Sequence, residues 1–165
     1  MGVFEQKEAK IAKRIRKSFA AFASFCSISS VHPLYAKAHA LSREVIGAAI
    51  EVHRLKGAGL IESIYEKCLL RELELRSIRT INQQRVEIEY KGFIFEETLR
   101  FDLLIEDCLL IELKSVQEVL PIHKAQLFSY MKLLNVPMGL LLNFHAPKLI
   151  AGVHRMMLPG SGPEN

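Results

Sequence analysis

The feature that most constrains this chain is a change of hydrophobic period partway along it. Over residues 41–77 apolar side chains recur at helical spacing, and from residue 85 they alternate along the chain. A sequence whose period drops from about 3.6 to 2 has to lay helices against a sheet. In "LSREVIGAAIEVHRLKGAG" the apolar residues at 45, 46, 49, 50 and 52 share one face, Ser42 stands where an N-cap belongs, and Gly57 and Gly59 end the helix. A second helix spans roughly residues 60–77, with Ile61, Ile64, Cys68, Leu69 and Leu73 on one stripe. "RVEIEYKGFIFEETLRFDLLI" then alternates through Val86, Ile88 and Tyr90, and through Phe93 and Phe95, about a Lys91-Gly92 turn. That is a hairpin pattern. "CLLIELK" supplies a third strand after a Glu106-Asp107 turn, and "PIHKAQLFSYMKLLN" is a helix opened by Pro121. The almost wholly apolar "MGLLLNF" reads as a strand covered on both faces, and the residues after it as a short edge element. The order predicts an α/β sandwich with a small mixed β-sheet flanked by helices.

The 165 residues fit one domain, expected over 41–158, with a basic N-terminal extension over 1–40 and a disordered tail over 159–165. Charge supports the division. Residues 1–40 hold seven Lys and Arg against Glu5 and Glu8, a net of +5, while the remainder holds 15 basic and 16 acidic residues, a net of −1. Affinity of the body for nucleic acid therefore has to come from a local patch or a metal rather than from overall charge. "KRIRKSFAAFASFCSISS" is a poor secretory signal because serines dilute its apolar stretch and two acids precede its cationic group. No run reaches the roughly 18 apolar residues of a membrane span. Cys26, Cys68 and Cys108 are odd in number and widely spaced, which argues against a disulfide framework and for a reducing, cytoplasmic setting.

Within this pattern, three charges stand where a buried hairpin calls for apolar residues: Asp102, Glu112 and Lys114. Glu112 and Lys114, at i and i+2, project from one face of their strand, and the hairpin brings Asp102 across from them when the register allows. Two carboxylates converging there repel each other and lose hydration, which a divalent cation would offset. An all-oxygen ligand set favours Mg²⁺ or Mn²⁺. Local spacing alone, a loose pattern, favours a structural Glu112–Lys114 ion pair on an exposed strand face with Asp102 as a neighbour.

A wider set of residues carries a resemblance. "GLIESIY" (Gly59, Glu62, Tyr65) matches the G-x-x-E-x-x-Y signature of a bacterial and archaeal family named for it, which is assigned to the PD-(D/E)xK, restriction-endonuclease-like nuclease superfamily. The resemblance covers about residues 41–150 and includes "IELKS", "AQLFSY" and "LLLNFHAPKL". The chain also resembles the RecB and lambda-exonuclease branch, whose helical Glu, Asp, E-x-K and Q-x-x-x-Y correspond here to Glu62, Asp102, Glu112 with Lys114, and Gln126 with Tyr130. Phe101 stands where the superfamily's name has proline. The resemblance implies a Mg²⁺- or Mn²⁺-dependent nuclease acting on nucleic acid, DNA in the first instance, leaving a 5′-phosphate and a 3′-hydroxyl. It implies Glu62, Asp102 and Glu112 as metal ligands and Lys114 as the group that positions water. Gln126, Tyr130, Tyr65 and His123 are the substrate-binding candidates, although Tyr65 and Tyr130 fit a core role as well. His53 and His145 read as caps or packing, and His32, His39 and His154 have no partner at metal spacing. The rival expectation is a nucleic-acid- or partner-binding module on the same fold that no longer cuts. Either is compatible with a homodimer or larger complex.

Overall fold

The computed structural model describes residues 31–163. Most of the basic extension, Cys26 included, and the last two residues lie outside the described residues. The elements run α1 (Tyr35–Lys56), α2 (Glu62–Leu75), β1 (Thr80–Tyr90), β2 (Phe93–Ile105), β3 (Leu109–Lys114), α3 (Pro121–Leu134), β4 (Met138–Asn143), a 3₁₀ turn (Leu149–Gly152) and β5 (Val153–Met157). The five strands lie in sequence order, β1-β2-β3-β4-β5. The β1/β2, β2/β3 and β4/β5 pairs are antiparallel and β3/β4 is parallel, with α3 making the crossover that parallel neighbours require. This is the mixed sheet the sequence predicts.

Both expected tight turns form, and they differ chemically. Lys91 (φ 51°) and Gly92 (φ 82°) make the β1–β2 turn, and Glu106 (φ 48°) and Asp107 (φ 57°) make the β2–β3 turn. Two successive positive φ values match the twist of a tight hairpin, of two residues in the first turn and, with Cys108, three in the second, but they are costly for residues that carry a Cβ. The glycine-free turn is held from outside: Glu106 accepts from the Arg79 backbone N–H (3.1 Å) and from Lys37 Nζ (3.1 Å), and Asp107 pairs with Arg79.

Helices cover both faces of the sheet. On one side α1 and α2 (Val45, Ala49, Val52, Tyr65, Leu69, Leu73) pack on Leu103, Ile105, Ile111, Leu113, Leu140 and Leu142. On the other, α3 places Leu127 and Met131 against Leu99, Phe101, Leu104, Leu110 and Leu141. All of β4 is buried, as its apolar run requires. Leu99 and Phe101 share the α3 side with Leu104 rather than with Leu103, because a bulge between the Ile81 and Gln83 pairings breaks the alternation of β2.

Three sequence expectations are corrected. Helix α1 opens at Tyr35 rather than at Ser42, so residues 35–40, counted with the extension, belong to it. Ser42 is buried inside the helix, its hydroxyl donating to the His39 carbonyl at 2.7 Å, as serine does mid-helix when no cap is needed. The core stripe of α2 is Tyr65, Leu69 and Leu73, while Ile61 and Ile64 are exposed at 66% and 38%. Their apolar character misled because Tyr65, at the same helical spacing, buries more. The composition of "PGSGP" suggests a free tail, yet Ser161 is buried and its carbonyl accepts from the His32 N–H at 3.0 Å. Residues 159–163 close against the start of the fold.

Candidate active site

The charged residues meet where the sheet divides. Strands β2 and β3 pair at Leu103↔Ile111, Leu104↔Leu110 and Ile105↔Leu109, and one step further along that register stand Asp102 and Glu112. There the ladder stops. The Leu113 N–H donates to the Asp102 carboxylate at 2.6 Å, so a side chain takes the bond that a strand carbonyl would otherwise accept. Glu112 and Lys114 share a face of β3, as alternation demands, and Lys114 Nζ donates to Glu112 Oε1 (2.7 Å) and to the Leu113 carbonyl (2.7 Å). Glu62 Oε1 lies 3.4 Å from the same ammonium, reaching it from the first turn of α2. The side chains of Glu112 and Lys114 are only 6% and 13% exposed, against 42% for Glu62. This pair is therefore buried, and truncating either side chain, unlike exchanging it for an isostere that keeps the hydrogen bond, would leave the other without its partner.

The loop before α2 explains how Glu62 comes to be there. Gly57 (φ 71°) and Gly59 (φ 98°) adopt left-handed conformations that turn the chain after α1. Tyr65 holds that loop: its hydroxyl donates to the Gly57 carbonyl (2.7 Å) and accepts from the Leu60 N–H (3.1 Å). Its ring is wholly buried and stacks on Phe144 at 4.3 Å. Ser115 Oγ donates to the Leu60 carbonyl at 2.7 Å, tying the loop to the end of β3. The spacing of Gly59, Glu62 and Tyr65 thus has a mechanical reading. The glycine turns, the tyrosine fixes the turn, and the glutamate one helical turn before the tyrosine is delivered to Lys114. Tyr65, a substrate-binding candidate, has both hydrogen-bonding roles of its hydroxyl filled by this loop.

Two contributors escaped the sequence reading. Glu66, one helical turn after Glu62, is close enough to Asp102 for that charge to raise its carboxyl, second to its own burial. The signal was the i, i+4 pair of glutamates on one helix face. Asn143, the polar residue ending the apolar run of β4, is buried: its amide donates to the Val116 carbonyl (2.8 Å) and its oxygen accepts from the Val116 N–H (3.1 Å). The Phe144 N–H donates to the Lys114 carbonyl at 2.7 Å, so the end of β4 fixes the backbone on both sides of Ser115.

The candidates on α3 are not joined to this cluster. His123 Nδ1 accepts from the Leu120 N–H at 3.2 Å and so caps α3. Gln126 is exposed, and Tyr130 packs partly on the second core. Among the described residues none of the three hydrogen-bonds to Asp102, Glu112 or Lys114. His53 bonds the Ala146 carbonyl (2.9 Å) beside Phe144, which is a scaffold role.

Electrostatics weigh the site toward a cation. Burial raises the Asp102 carboxyl, the bond from Leu113 and the Lys114 charge lower it, and Glu62 raises it further; the balance is upward. Burial likewise raises Glu112, and the Asp102 and Glu62 charges add to this against the Lys114 hydrogen bond. Burial disfavours the Lys114 ammonium, but its bond to Glu112 and the fields of Glu112, Glu62 and Asp102 outweigh it and hold it above the usual lysine value. Three carboxylates thus act on one ammonium, with Glu66 further out beside Asp102, and the carboxylates remain under-neutralised. Among the described residues no three Asp, Glu, His or Cys side chains converge as a preformed metal set. The donors present are all carboxylate oxygens with charge in excess, which fits a hard divalent ion that keeps much of its water.

Comparison with known proteins bears on this geometry. A model of the PD-(D/E)XK nuclease superfamily matches residues 39–156. No curated protein matches the chain. Among solved structures, the crystal structure of SSO0001 is 19% identical and covers 72% of this chain and 78% of its own, with a TM-score of 0.41. Among the described residues no helix is long and apolar enough to cross a membrane. On the family match, which takes in both the fold and every charged residue of the cluster, the chain belongs to the PD-(D/E)XK nuclease superfamily.

Proposed function

We propose that this protein, a member of the G-x-x-E-x-x-Y family, hydrolyses phosphodiester bonds of nucleic acid, DNA in the first instance, with Mg²⁺ or Mn²⁺ as cofactor. Nucleases of the superfamily generally use divalent metal ions and act on nucleic acid. Asp102 and Glu112 would hold the ion, with Glu62 as a third ligand and Glu66 as a further carboxylate beside Asp102. Bound there, a divalent ion supplies a Lewis acid and a lowered pKa for water. The chain's own residues do the rest. The Leu113 N–H orients the Asp102 carboxylate. Lys114 turns from Glu112 toward the scissile phosphate, where its ammonium steadies the attacking water and faces the negative charge that develops in the transition state. Gln126 and Tyr130, one turn apart on α3, are the candidates for contacting the nucleic acid beyond the cluster, with His123 at the same helix end.

The observation that supports this most is the fork itself: one lysine among three carboxylates, at the point where β2 and β3 part and a carboxylate takes over a ladder hydrogen bond. A second reading has its own support. Lys114 closes on Glu112 at 2.7 Å and stands 3.4 Å from Glu62, neutralising carboxylates that would hold an ion, as in a binding module that no longer cuts. One experiment separates the two. The purified protein is incubated with Mg²⁺ or Mn²⁺ and with labelled single-stranded, duplex and circular DNA, beside Glu112→Gln. Metal-dependent cleavage lost in the variant supports the nuclease; DNA binding without cleavage of any substrate supports the binding module.

A further inference from the structure

The β1–β2 hairpin is longer than the fold requires. β2 meets β3 only over Leu103–Ile105, while β1 and β2 remain paired out to Tyr90↔Phe93. Every residue from Glu89 to Thr98 is exposed, so the far half is a two-stranded ribbon with solvent on both faces. Such a ribbon is marginal in water by itself. Its tip nevertheless carries Tyr90, Phe93, Ile94 and Phe95 at 64%, 66%, 41% and 37% exposure. Paired residues share a face, which puts Ile88, Tyr90, Phe93 and Phe95 on one side, with the Phe93 and Phe95 rings stacked at 5.5 Å. On the other side Arg85, Glu87 and Glu89 stand opposite Thr98, Glu96 and Ile94. β1 is also an edge strand, and past the Ile81/Gln83 bulge neither bulge nor proline blunts it.

We infer that this ribbon docks a second copy of the chain through an antiparallel β1–β1 pairing centred on Val86. Nucleic acid is the poorer occupant, since residues 85–98 hold Arg85 and Lys91 against four glutamates, a net of −2 that repels phosphate. The edge is instead complementary to itself. With Val86 on the two-fold axis, Arg85 faces Glu87 of the second copy, and Glu87 faces the second copy's Arg85. The same two-fold axis puts the two apolar faces on one side of the joined sheet. The contact is one strand wide, which places it among small, reversible interfaces. It is independent of whether the fork cuts DNA.

Sedimentation velocity of the full chain over a range of concentrations tests the pairing. The wild type should show a concentration-dependent monomer–dimer equilibrium. Arg85→Glu, which sets like charges against each other at both symmetry-related positions, should weaken the dimer by about tenfold or more. Adding Glu87→Arg to that variant restores opposite charges and should restore the dimer, with an unchanged far-ultraviolet spectrum showing that all three proteins fold. With Cys26 and Cys68 replaced by serine, Val86→Cys should oxidise to a disulfide-linked dimer, because the two-fold axis brings that position against itself. A wild type that stays monomeric at every concentration overturns the inference. So does a dimer that is indifferent to Arg85→Glu and does not cross-link through residue 86.

Discussion

Substituting Tyr65 by phenylalanine isolates one oxygen atom at the base of the candidate site. The ring stays, with its stacking on Phe144 at 4.3 Å, and so does its burial. What goes is a donor to the Gly57 carbonyl at 2.7 Å and an acceptor for the Leu60 N–H at 3.1 Å. Each such bond contributes about 1 kcal/mol net, and a polar group left without a partner costs about 1–3 kcal/mol, less where water can reach it. The loop is part-buried, so a total loss of about 1.5–3 kcal/mol is expected. For a chain of this size that corresponds to a fall in Tm of roughly 4–10 °C. Urea unfolding should show the loss as a shifted midpoint at unchanged slope. Metal-dependent activity should fall as well, because the loop that delivers Glu62 is loosened. Stability unchanged within about 0.5 kcal/mol, together with weakened DNA binding, would refute the reasoning and return Tyr65 to the substrate.

Other perturbations probe the remaining parts. Glu112→Gln and Asp102→Asn should leave the metal-free protein as stable at neutral pH as the wild type, or more so, since both carboxyls sit above their ordinary values in the fold. A raised acid loses stability as pH rises from its unfolded to its folded value, so any advantage of the variants should grow across that window and vanish below it. Thermal melts in chelator over that range check this, and clear destabilisation of both variants at neutral pH would favour a structural ion pair. Gly152→Ala should destabilise by about 1–3 kcal/mol, because the added Cβ would stand 2.3 Å from the Asn143 backbone oxygen and displace the end of β4. A melt indistinguishable from wild type would contradict the placement of that turn. We propose that residues 1–30 are dispensable, so a chain beginning at Val31 should melt as the full chain does. One beginning at Ala38 loses Leu34 and Tyr35 from the core and the Lys37–Glu106 pair, and should melt lower.

The architecture was legible where local chemistry and tertiary packing agree. Tight turns, a proline at a helix start and the change of period each fix backbone geometry over a few residues. Alternation alone placed Glu112 and Lys114 on one face. It could not place Asp102, because the bulge in β2 shifts the alternation just before it, and because its partner is a backbone N–H on another strand. Local chemistry also misjudged the ends of α1 and α2. Ser42 has the chemistry of a cap but sits mid-helix, and the isoleucines at 61 and 64 are apolar but face solvent. Glu66 and Asn143 were invisible as site residues for a related reason: each matters through a neighbour distant in sequence.

Lys114 offers the most direct test of the central claim, since it separates turnover from binding. Cleavage of labelled duplex DNA by wild type and Lys114→Ala is compared under single-turnover conditions in Mn²⁺, with metal and DNA affinities measured on the same preparations. The variant should bind both as the wild type does and cut more slowly by about 10²-fold or more, roughly 2.7 kcal/mol of transition-state stabilisation. Lys114→Arg should recover only part of the rate, because a planar guanidinium cannot place its charge where the ammonium sat. Equal cleavage by wild type and Lys114→Ala would contradict the account.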